Sequence, residues 1–115
     1  MERESVPQPR FQESQTCTTH DGVTVSFQTV AFFSIENGKS FLIDNDDSEE
    51  ILDGMILSTA ADIVVQHSFE FFVSPRFRSL LKKRLSKQQH RIGVSVKKIG
   101  LMNQYRYDRT YLTRG

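Results

Sequence analysis

Three groups of residues in this chain have the type and spacing to do chemistry. The densest is acidic. In SFLIDNDDSEEILDG, residues 40–54, Asp44, Asp46, Asp47, Glu49 and Glu50 crowd together. Such a run attracts a divalent cation, but it lacks the spacing and the glycine of a calcium loop. No second carboxylate cluster or histidine pair supports it, so no metal is assigned. Cys17-x-x-His20 is half a zinc motif without its other half, and His67 and His90 stand alone. His67 reads as a satisfied core histidine. No signature marks a nucleophile with its base and orienting group, so the expectation is a non-enzyme without cofactor or small-molecule substrate.

The second group is basic. Arg76, Arg78, Lys82, Lys83, Arg84, Lys87 and Arg91 fall between 74 and 93 with no acid among them. On a helix this is either a solvated face or a surface for an anionic partner, and the one-sidedness favours the partner. Arg76, Lys82, Lys83, Arg84, Lys87 and Arg91 are the expected phosphate contacts. The third group is aromatic. Tyr105, Tyr107 and Tyr111 alternate on one side of a strand, interleaved with Arg106 and Arg109. They suit base stacking, which makes Tyr105 and Tyr107 nucleic-acid candidates. They suit packing on their own sheet or a protein interface better.

Composition bounds the elements that must hold these groups. The chain of 115 residues is 37% hydrophobic and 25% charged, which fits one domain with a modest core. No apolar run is long enough to span a membrane. Glu2, Arg3 and Glu4 follow Met1 with no apolar signal core behind them, and Cys17 is the one cysteine. The expectation is an intracellular, unsecreted protein. The net charge of +1 hides a division. Residues 1–73 carry three basic residues against thirteen acids, and residues 74–115 carry twelve basic residues against Asp108 alone. Either the two parts neutralise each other within the fold or the basic part meets a polyanion or an acidic surface.

Residues 1–21 are polar, with Pro7 and Pro9 and no periodicity, and read as a disordered arm before a single domain at 22–115. Val23 to Ile35 alternate with period two, a strand. Asn37-Gly38 predicts a type I′ turn that folds the chain back at once. That register sets Glu36 opposite Lys39, Phe33 opposite Leu42 and Phe32 opposite Ile43. Both faces of the hairpin are then apolar, and Phe32, Phe41 and Ile43, with Tyr111, become candidates for a partner interface. The piece at 50–58 is open between two readings. As a helix, Asp47 and Glu50 form a capping box ahead of Leu52, Met55, Ile56 and Ala60, with Gly54 against it. As a turn, NDDSEE joins two strands. DIVVQHSFEFFV, 62–73, alternates like a strand. Ser74 and Pro75 then open a helix over 75–91 with Phe77, Leu80, Leu81 and Leu85 as its apolar stripe, and Gly93 ends it. Strands follow at 92–102 and over QYRYDRTYL. The fold class is mainly β with one clear helix, α+β, most simply a five-stranded closed barrel with the basic helix between the last long strands.

Under the turn reading, TVAFFSIENGKSFLIDNDDSEEI resembles the first hairpin of the OB folds in the middle subunit of replication protein A and in related telomere-capping subunits. Asp46, Asp47, Ser48 and Ile51 stand at the matching places, and AADIVVQHSFEFFV is similar at Asp62 and Val64 to the lead-in of a later strand. Glu49 and Glu50 replace a usual glycine, the fourth strand lacks its glycine near His67, and the helix usual before that strand shrinks to STAA. The resemblance covers about half the chain. It implies a nuclear, non-enzymatic subunit of a genome-maintenance complex with a heteromeric protein partner. That subunit binds single-stranded DNA or RNA through the basic helix or, alternatively, serves as a protein scaffold with no nucleic acid.

Overall fold

In the computed structural model, which describes residues 8–35, 46–88 and 94–107, the chain runs β1 (Gln8–Phe11), β2 (Gln15–Thr18), β3 (Thr24–Ile35), α1 (Asp46–Gln66), α2 (Phe69–Val73), α3 (Pro75–Ser86) and β4 (Val94–Tyr107). β3 is the alternating strand expected from its sequence. Its inward row of Val25, Phe27, Thr29, Ala31 and Phe33 is buried. β4 pairs antiparallel along one edge, from Thr24 opposite Tyr107 to Ile35 opposite Val94. β1 and β2 also pair antiparallel with β3, β1 at residues 30–33 and β2 at residues 24–27. Since β4 fills one edge throughout, β1 and β2 lie end to end along the other.

All three helices bear on the inner face of this sheet. Arg10 of β1 and Gln15 of β2 bond to α1 from that face, Arg106 of β4 lies over Phe69 of α2, and α3 contributes Phe77, Leu81 and Leu85 to the core. Phe27, Phe72 and Phe77 form the centre, with ring centroids 5.1–6.0 Å apart in tilted or edge-on arrangements. Such geometry suits the ring quadrupoles. Among the described residues the architecture is mixed α+β: an open four-stranded sheet with three helices on one face. The five-stranded closed barrel expected from the sequence is not formed.

Three other expectations change, and one open reading is decided. Residues 8–18 are strands of the sheet, not part of a disordered arm. Their inward side chains Arg10, Gln12 and Gln15 are polar, so no apolar alternation announced them, yet each is hydrogen-bonded to another element. The piece at 50–58 is helical, as the capping-box reading had it, and α1 continues through Gln66. Leu52, Ile56, Ala60, Ile63 and Val64 are buried at helical spacing, while Val65, inward in a strand reading, is 48% exposed. The predicted strand at 62–73 is thus the end of α1 followed by α2. Ser68 caps α2 by accepting from the Phe71 amide at 3.3 Å. The last change is in β4, which is one strand of 14 residues where two were expected.

The Asn37-Gly38 turn lies outside the described residues. Phe32 is opposite Pro9 and Lys98, and Phe33 opposite Gln8 and Val96. Both edges are therefore taken there, and the expected pairs with Ile43 and Leu42 are not formed. The helix predicted over 75–91 is regular as far as Ser86, with Ser74 and Pro75 placed as expected; Gly93 is outside the described residues.

Candidate interaction surfaces

α3 forms where it does because Ser74 accepts from the Arg76 amide at 3.2 Å and Pro75 occupies the first helical position, where no N–H is needed. Burial of Phe77, Leu81 and Leu85 then fixes which face looks outward. Arg76, Lys82, Lys83 and Lys87 are exposed, and Arg84 is half-buried. Arg91 is outside the described residues. Among the described residues the one ion pair is Arg10 with Asp53 at 2.8 Å, so no carboxylate there neutralises the cations of α3.

Where α1, α2 and α3 meet, a groove of about 390 Å³ is lined by His67, Phe71, Arg76, Ser79, Leu80 and Lys83. The His67 and Phe71 rings stack at 4.0 Å and 19°, and the Arg76 guanidinium sits 5.2 Å from the Phe71 centroid. His67 Nδ1 is 2.8 Å from the Ile63 carbonyl oxygen, which can only accept. Nδ1 therefore carries a proton, and Nε2 is the ring atom left for another partner. His67 ends a helix half-buried, not on the apolar strand face expected for it. The sequence named Arg76 and Lys83 but gave no sign of the groove, because Phe71 and Leu80 come from separate elements.

The tyrosines are elsewhere. Register sets Tyr105 opposite Ser26 and Tyr107 opposite Thr24, both on the outer face, while Arg106 between them turns inward. Tyr105 is 62% exposed. On the same face stand Phe11, opposite Val30 and 56% exposed, Met102, opposite Gln28, and Phe32, with the Lys98 ammonium 6.0 Å from its ring centroid. The basic helix therefore lies on the opposite side of the sheet from Tyr105 and Tyr107, and these nucleic-acid candidates do not form one surface. Phe11 and Met102 were missed, since the first was assigned to the arm and the second stood at the end of a strand with no role given to it. Phe41, Ile43 and Tyr111 fall outside the described residues.

Cys17 pairs with Val25 and is half-buried. Burial pushes its thiol up, opposed by the Gln15 amide at 4.0 Å. Among the described residues no three His, Cys, Asp or Glu side chains gather as a metal site. No helix there is long and apolar enough to cross a membrane. Comparison with protein-family models and with curated proteins finds no match to this chain.

Proposed function

We propose that this chain is a non-enzymatic assembly subunit whose outer sheet face is covered by an unlike protein. One observation carries the reading: Phe11, Met102, Tyr105 and Tyr107 are exposed on the face away from all three helices. Exposed aromatic and methionine side chains gathered on one face, with Lys98 flanking Phe32, are typical of interface centres. Phe11→Asp combined with Tyr105→Asp should abolish capture of a partner from a native extract while the circular dichroism of the isolated chain is unchanged. The reading fails if the wild-type protein retrieves no partner and exposes no surface to a hydrophobic dye.

A second reading, phosphate binding by α3, is favoured by the acid-free exposed row of Arg76, Lys82, Lys83 and Lys87. The OB-fold resemblance lends it a partner class, single-stranded DNA or RNA in a nuclear maintenance complex. It lends no geometry, because Asp46, Asp47, Ser48 and Ile51 lie in α1 and not in a hairpin turn. Binding should weaken with salt at a logarithmic slope of about −0.7 per phosphate contacted, and replacing Lys82, Lys83, Arg84 and Lys87 by Ala should flatten it. No binding at low salt removes this reading.

A further inference from the structure

The groove at the α1–α2–α3 junction combines an apolar floor, Phe71 and Leu80, with two cations, Arg76 and Lys83. Neither cation has an ion-pair partner among the described residues. Among the described residues Glu70 lines an adjoining recess with Ser68 and Ser74. The occupant that suits such a groove is an apolar side chain flanked by carboxylates.

The chain carries that occupant. At the start of α1, Ile51 is 52% exposed beside the exposed Glu50, and Asp46, Asp47 and Glu49 precede them in the same helix. The groove cannot be filled by its own copy of this segment. His67 follows the last residue of α1, and at 1.5 Å per residue Ile51 stands roughly 24 Å back along the helix axis. The acidic segment and the cationic groove are thus the two ends of one rod.

We propose that copies of this chain associate head to tail, the Glu50–Ile51 end of α1 in one copy seating in the Arg76–Lys83 groove of the next. Ile51 packs on Phe71 and Leu80, and the Glu50 carboxylate faces Arg76 and Lys83. The two surfaces differ, so the contact is heterologous and propagates into a ring or an open chain. It is separate from the outer-face reading above and does not rest on it.

Sedimentation velocity of the full chain tests this. At about 0.05 M salt the mean mass should rise with protein concentration, and at about 1 M salt, where charges are screened within a few ångströms, the rise should be lost. Arg76→Glu with Lys83→Glu should raise the dissociation constant at least about tenfold. Glu50→Gln with Ile51→Ser should do the same. All four side chains are exposed, so circular dichroism should match the wild type. Each double variant keeps one working surface, and their mixture should form dimers that grow no further. The Phe11→Asp and Tyr105→Asp variant should associate like wild type. A wild-type protein that stays monomeric at low salt, variants that associate unchanged, or a mixture that stays monomeric would each overturn the proposal.

Discussion

Replacing Arg10 by Ala tests whether the N-terminal strands belong to the domain. Arg10 donates through Nε to Asp53 Oδ1 at 3.0 Å and through Nη2 to Oδ2 at 2.8 Å. Gln12 donates to the same Oδ1 at 3.3 Å, and its own Oε1 accepts from the buried Thr29 hydroxyl at 3.0 Å. One bidentate contact therefore ties β1 to α1 across the edge of the core. An exposed pair would contribute about 0.2–1 kcal/mol. Here the side chains are 31% and 28% exposed, and the paired geometry strengthens each bond. Arg10→Ala should cost about 1–1.5 kcal/mol, because Asp53 loses both bonds while partly desolvated. The melting temperature should fall by roughly 4–8 °C for each kcal/mol. A double-mutant cycle with Asp53→Ala, read by urea titration, isolates the pair. Deleting residues 1–18 should cost far more, since it strips β1 and β2 from β3. A coupling below about 0.3 kcal/mol, within the usual error of additivity, would refute the tie. So would a deletion that leaves the melting temperature unchanged.

Other perturbations probe the helices and their caps. Gly54 is exposed within α1, and a Cβ there would meet nothing within 4 Å. Gly54→Ala should stabilise the fold by about 0.8–1 kcal/mol in thermal melts. Ile63→Ala should cost about 2–4 kcal/mol in urea titrations while Val65→Lys stays within about 0.5 kcal/mol, because only Ile63 faces the core. Equal costs would restore the strand reading of this segment. The Thr19 hydroxyl, donating to Asp21 Oδ1 at 2.5 Å, and the Phe69 amide at 3.1 Å hold the Asp21 carboxyl below its ordinary value. Its contribution is therefore complete above the ordinary carboxylate range and lost as pH falls through the lower folded value. Asp21→Asn should flatten that part of the acid limb in melting temperature against pH.

β3 and α3 were legible from sequence because each carries a complete local code. β3 alternates without interruption, and α3 has a cap, a proline at its first position and an apolar stripe at one period. The outward cations of α3 followed from that stripe. The sequence also left the helical reading of 50–58 open through Asp47, Glu50, Leu52, Ile56 and Ala60. Beyond residue 61 local pattern misled. Ile63, Val65, His67, Phe69, Phe71 and Val73 alternate by type, yet the segment is helical. Burial of Ile63 and Val64 together against the sheet, with Ser68 capping α2, outweighs β propensity.

The N-terminal strands and β4 needed the tertiary structure. β1, β2 and the link between them show no apolar period, because apart from Cys17 they turn inward the polar Arg10, Gln12 and Gln15, and these are stable there only once Asp53, Thr29 and Leu57 supply partners. In β4, Val94 and Val96 fall out of phase with Ile99 and Leu101. The register with β3 shifts between Phe32 and Phe33 and again between Ser26 and Gln28, where Asn103 takes a positive φ of 50°. Each bulge adds one residue: the first returns Ile99 and Leu101 to the inner face, and the second turns Arg106 inward and Tyr105 and Tyr107 outward. Type and period along the chain therefore determined the two elements whose stability is local. Which polar residues face inward, and which breaks in period are bulges and not ends, depended on contacts between residues far apart in sequence.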